Sequence, residues 1–189
     1  MSPEPAAPGR RPGTLTRALL WIAAAVLGVA VLGGVYWAVS CPCGGVPGFV
    51  LLGEEQREPV KDWRFANDVH LCQVQITAGW LPHSVNLNCM ATETGDLFLS
   101  CSVGTRKYWC QRVGPDHPGR LRLNGKVYPV VLNRVMDPAT LDMAWASRVR
   151  KLQDPAVQAL QPPGSTTPPL DAKRPDTWWS FQVRSRTSG

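Results

Sequence analysis

The chain has 189 residues, 44% of them hydrophobic and 18% charged, with a formal net charge of +6 at pH 7. That is enough chain for one ordinary core and an appendage, not for several large domains. Residues 1–40 hold Arg10, Arg11 and Arg17 against Glu4, which leaves +4 spread thinly over the rest; a nucleic-acid footprint needs a dense basic stripe, so no nucleic-acid partner is expected.

Residues 1–17, MSPEPAAPGRRPGTLTR, are rich in Pro, Gly and Ala and read as a disordered cytoplasmic tail. Residues 18–39, ALLWIAAAVLGVAVLGGVYWAV, carry no charge. At 1.5 Å per residue such a helix covers roughly the 30 Å of bilayer hydrocarbon. Trp21 lies near one end and Tyr36 and Trp37 near the other, where amphipathic rings favour the interface. The apolar core of a cleaved signal peptide is about 7–15 residues, shorter than this run, so a retained transmembrane helix is expected. Lipid attachment at Cys41 ranks last, because the residues before it fit that signal poorly. Arg10, Arg11 and Arg17 precede the span, and only Arg57 and Lys61 follow it soon. The positive flank is the cytoplasmic one. The expectation is a single-pass protein of the plasma or inner membrane, with the lipid bilayer as partner and the C-terminal domain on the far side.

Residues 40–60, opening on CPCGG, read as a juxtamembrane linker in which FVLL is a short interfacial element or a first strand. From Val69 the pattern turns strand-like: VHLCQVQIT, SVNLNCMA and LFLSCS alternate or enrich apolar and β-branched residues between AGWLPH and TETGD. TRKYWCQRV reads as one or two helical turns ended by GPDHPG. RLRL and KVYPVVLNRV flank Asn124 and Gly125, a pair that readily takes positive φ and so predicts a tight hairpin. Pro129 removes a donor, which predicts an edge or a bulge there. Asp137 before Pro138 predicts a helix start, with Leu141, Trp145, Val149 and Leu152 on the buried face and Asp142, Arg148, Arg150 and Lys151 on the polar one. Residues 161–177 form a Pro-rich connector, and WWSFQVRS is a last strand returning to the sheet. A domain over 61–189 results, mainly β (α+β): a small antiparallel barrel with two packing helices.

Cys72, Cys89 and Cys101 alternate in phase with apolar neighbours and fall on buried faces, where a free thiol acts as a small hydrophobe. A disulfide between facing strands is the alternative. The one-residue gap of Cys41 and Cys43 makes a mutual bridge strained, and no second ligand pair at zinc-like spacing follows them. His70 shares a face with Cys72 and reads as a core histidine, and His117 as exposed turn. No nucleophile–base–orienter set, paired carboxylates or Gly-rich dinucleotide loop stands out, which disfavours hydrolysis and Rossmann chemistry.

PHSVNLN, then LFLSCSVGTRKYW, then DHPGRLRLNGKVYPV and the Asp-Pro helix start, in that order and spacing, resemble the flavin-binding split β-barrel family, which includes pyridoxamine-phosphate-oxidase-like and deazaflavin-dependent nitroreductase-like proteins. The similarity covers residues 63–152, with WWSFQV as closing strand. The resemblance implies a split antiparallel barrel, a homodimer, and FMN or a deazaflavin in a phosphate pocket. Ser102, Arg106 and Lys107 would face the phosphate, His83 and Ser84 the ring or ribityl part, and Trp109 would pack beneath; amides at the start of the short helix would add to the clamp. Arg brings a planar fork, Lys a point charge and Ser a hydroxyl donor. Two departures stand out: the Gly- and Ser-rich loop of the deazaflavin reductases is absent, and CQRVGPDHPG follows the short helix where the family more often has an Asn near the Trp. Two functions follow. One is a membrane-tethered oxidoreductase-like protein passing hydride or electrons to a lipophilic substrate such as a quinone. The other is a cofactor-free binding or scaffold protein that keeps the barrel, since flavins are made in the cytoplasm and the domain is expected outside it.

Overall fold

The computed structural model describes residues 13–186. The chain divides between Trp37 and Ala38 into two compact units.

The first is the helix α1, Thr14–Ser40, whose last three residues run into the second unit. It is 27 residues long with a mean hydropathy of 2.4 in its most apolar window and buries none of its residues. A helix apolar on every side has no face to give to water, so its length and composition are those of a membrane span. It opens at Thr14, so residues 14–17 are helical instead of part of the expected tail; residues 1–12 lie outside the described residues.

The second unit is built on strands β1 Glu54–Glu55, β2 Cys72–Ala78, β3 Leu81–Leu87, β4 Cys89–Ala91, β5 Leu97–Cys101, β6 His117–Leu123, β7 Lys126–Arg134 and β8 Trp179–Ser185. A 3₁₀ helix, Arg64–Asp68, precedes β2, while helices α2, Pro138–Leu152, and α3, Pro155–Ala159, lie between β7 and β8. The order is β3-β2-β6-β7-β8-β5-β4, antiparallel throughout, with β1 adding to β7 in parallel. The second predicted strand is two: Asn88 interrupts it, and its carbonyl accepts from Ser100 N–H at 2.8 Å. Since β3 pairs with β2 and β4 with β5, both ends of the sheet belong to one bent chain segment, and the sheet curls into a half-barrel.

Alternation sorts the side chains. Leu97, Leu99 and Cys101 of β5 join Val74, Ile76, Leu121, Leu132 and Phe181 in the inner core. Phe98 faces the other way, with Met90, Ala144 and Trp178, into a smaller core under α2. Asn124 and Gly125 have φ of 48° and 79°, the two positive values a tight β6–β7 hairpin requires. Pro129 lies in a strand paired on both sides, not at an edge. Its carbonyl accepts from Arg186 at the end of β8, and its nitrogen points the same way, so the missing donor falls where that ladder stops.

Three expectations change. Residues 40–60 do not hang as a linker: Leu51 is fully buried, Gly48 exchanges both backbone hydrogen bonds with Ser84, and β1 pairs with β7. The six cysteines are not free; they pair as Cys41–Cys43, Cys72–Cys89 and Cys101–Cys110. TRKYWCQRV forms turns, not helix. Within these turns Cys110 is bridged back to Cys101 at the end of β5, with their Cα atoms 6.6 Å apart.

Candidate functional site

One cleft of about 430 Å³ opens between β3, the turns that follow β5, and α2. Its floor comes from the end of β5 and its rim from Gly44–Pro47, which the Cys43–Val46 bridge folds into a turn. Within the turns, Arg106 and Lys107 both donate backbone hydrogen bonds to the Val103 carbonyl, at 3.0 and 3.1 Å, and the Cys101–Cys110 disulfide closes the loop behind them. The tight start depends on Gly104: its N–H reaches Thr177 O at 3.0 Å, and a Cβ there would fall inside the Trp179 indole.

His83, Ser102, Lys107 and Trp109 line this cleft. The His83 ring meets Tyr108 edge-on, with centroids 5.0 Å apart, and Arg112 lies over the Tyr108 ring at 4.7 Å. Burial lowers the His83 pKa, so the imidazole is held towards its neutral form. Trp109 is buried and packs against Phe181 at 5.0 Å, so it forms a wall more than a contact surface. Arg106 and Ser84 are not in the lining. Arg106 is exposed. Ser84 is fully buried in β3, and its hydroxyl has no hydrogen-bond partner among the described residues. The expected amides at a helix start have no counterpart, because the segment is turns.

Three residues were beyond sequence reasoning. Tyr108, within the stretch read as helical turns, stands half-exposed in the cleft. Arg148, assigned to the polar side of α2, lines it too; it lies over Trp145 at 5.0 Å and buries a guanidinium Nε that has no hydrogen-bond partner among the described residues. Lys151, assigned to the same side, is buried instead. Its Nζ donates to Ala66 O at 2.8 Å and Cys89 O at 2.7 Å, tying α2 to the 3₁₀ helix and β4. Burial pulls its pKa down to about 8, with Asp68 opposing. Helical periodicity assigns α2 residues to faces, but only the packing of the sheet decides that Arg148 and Lys151 meet protein while Arg150 stays in water.

A cleft of this size lies within the roughly 300–1,000 Å³ of small-molecule sites. One wall offers aromatic surface, from Tyr108 and His83, and the other parts offer cations and a hydroxyl, from Lys107, Arg148 and Ser102. That donor set is chemically suited to a planar ring carrying an anionic arm, as a flavin mononucleotide does. Among the described residues no cluster of three or more His, Cys, Asp or Glu could hold a metal ion. No family model, curated protein or solved structure matches the chain.

Proposed function

We propose that the chain is a membrane-tethered, split-barrel-type binding protein whose cleft takes a small ligand with a planar ring and an anionic group, FMN or a deazaflavin being the class the sequence resemblance implies. The supporting observation is the convergence of His83, Ser102, Lys107 and Tyr108 on one 430 Å³ cleft. Lys107 and Ser102 would hold the anionic arm, and Tyr108 with neutral His83 the ring. A bound flavin or deazaflavin would supply hydride or electron transfer, and the chain's part is to bind and orient it. Pairing of two copies belongs to this reading.

The tether is α1. Three disulfides need an oxidising compartment, and the arginines before the apolar run favour a cytoplasmic N-terminus, so the folded unit is assigned to the far side of the membrane. The same disulfides favour a second reading, a scaffold that uses the cleft without a flavin, because flavins are made in the cytoplasm.

Full-length protein in lipid nanodiscs, titrated with FMN, separates the two. Saturable quenching of FMN fluorescence is expected, weakened about tenfold or more by Lys107→Ala and left unchanged by Arg106→Ala. Absence of saturation with FMN and with a deazaflavin leaves the scaffold reading.

A further inference from the structure

Of the three disulfides, Cys41–Cys43 is the one that stability does not explain. Cys72–Cys89 joins β2 to β4, and Cys101–Cys110 joins β5 to the turns after it. Those bridges link residues 17 and 9 apart in sequence, and all four of their cysteines are at most 1% exposed. Cys41–Cys43 spans a single residue. So short a loop takes little freedom from the unfolded chain, which leaves the bridge little to stabilise.

Nor does its segment depend on it for position. Cys43 and Val46 exchange backbone hydrogen bonds at 3.2 and 3.0 Å, Gln73 Nε2 donates to Pro42 O at 3.0 Å, and Asn86 Nδ2 donates to Gly44 O at 3.1 Å. Gly48, paired with Ser84 on β3, lies so close that a Cβ on it would come within 2.3 Å of the Cys41 carbonyl. With the S–S bond open, these contacts still hold both cysteines against β3. The two ends of the bridge differ in access. Cys41 is 4% exposed, whereas Cys43 is open to solvent. Exchange begins with a thiolate reaching a disulfide sulfur, so exposed bridges are the labile or catalytic ones and buried bridges are inert. An incoming thiolate meets Cys43, and Cys41 is kept beside it as the resolving thiol.

We propose that Cys41–Cys43 is a thiol–disulfide exchange site that oxidises exposed dithiols. A substrate thiolate attacks Cys43 Sγ, the Cys41–Cys43 bond breaks, and Cys41 leaves as a thiolate that takes up a proton. The second substrate thiolate attacks the substrate sulfur of the mixed disulfide and expels Cys43, which is protonated in turn. Two electrons and two protons thus pass to the chain: the substrate leaves as a disulfide, and Cys41 and Cys43 remain as thiols. A small disulfide such as oxidised glutathione restores the bridge by the same steps in reverse. The chemistry needs no ligand in the cleft, so it stands apart from the flavin reading.

Full-length protein in nanodiscs, equilibrated in graded glutathione buffers, alkylated and mapped by peptide mass spectrometry, tests it. Cys41 and Cys43 should open together at a ratio of squared glutathione to its disulfide at least about tenfold lower than the other four cysteines require. Catalytic amounts of the chain should carry oxidation of a dithiol peptide by oxidised glutathione beyond one turnover. Cys43→Ser should abolish this, and Cys41→Ser should instead accumulate a Cys43–glutathione mixed disulfide, because the resolving thiol is gone. Circular dichroism confirms the folding of each variant, and the buffer titration of the unsubstituted chain reads the site if a variant does not fold. Opening of either buried bridge before or together with Cys41–Cys43, no acceleration by the unsubstituted chain, or acceleration retained by Cys43→Ser overturns the proposal. Because thiols are read by mass and FMN by fluorescence, failure of one reading leaves the other measurable.

Discussion

Gly104 is where a single atom decides the shape of the loop. A methyl there enters the Trp179 indole, which Arg134 covers from its own side at 3.3 Å. Neither ring nor backbone can yield far, so Gly104→Ala should destabilise the fold by about 1–3 kcal/mol, as overpacking does, and denaturant unfolding measures it. Lys151 makes a second prediction, through pH. Its folded pKa of about 8 lies below its ordinary 10.5, so between those values the unfolded chain binds more protons than the folded one. Stability relative to Lys151→Met therefore rises as pH climbs through that window, by on the order of 3 kcal/mol in all. Urea titrations of both proteins at pH 7.5 and 10.5 check the sign; equal slopes would show that the amine is not buried as described. Sequence placed Lys151 on a solvated, dipole-matched face because it sees one helix at a time. The two carbonyls that claim its Nζ come from residues 66 and 89, far along the chain.

At the scale of elements, what was legible followed local rules. The Asn124–Gly125 hairpin and the Asp137 cap, whose carboxylate accepts from Thr140 N–H at 2.8 Å, each depend on a few adjacent residues. The strands were legible where apolar positions alternate, as in β2, and their ends were blurred where Asn88 breaks the run. The turns after β5 were not: TRKYWCQRV read as helical turns, and its contacts to distant chain, Gly104 N–H on Thr177 O and Cys110 on Cys101, are invisible to local pattern. The Cys101–Cys110 closure sets the site. By the loop-entropy relation, removing it with the double substitution Cys101→Ala and Cys110→Ala should cost about 2–3 kcal/mol. It should also weaken ligand binding in the outer cleft more than replacing Cys41 and Cys43 by Ala, since Lys107 and Tyr108 ride on the bridged loop. Of the residues chosen for the cleft from sequence, His83 on β3, Ser102 just after β5, and Lys107 and Trp109 on the bridged loop meet there, while Ser84 of β3 is buried away from it. Arg106 does not, because successive side chains in a tight turn point different ways.

For the whole molecule, an exposed apolar helix and a unit with three disulfides are hard to reconcile with a protein free in a reducing compartment. A C-terminal alkaline phosphatase fusion should be active and a C-terminal green fluorescent protein fusion dark, if the folded unit is exported to an oxidising space; the reverse pair would invert the orientation. Thiol labelling of the unreduced, denatured full chain should find no free cysteine, and full labelling would remove the argument from redox compartment. The central claim, that the curled sheet and the bridged loop form a cleft for a ring-bearing anion, is tested most directly by titrating FMN into the nanodisc-held full chain. The account predicts saturable quenching that Lys107→Ala weakens about tenfold or more and Arg106→Ala leaves alone. Equal losses from the two substitutions would contradict it.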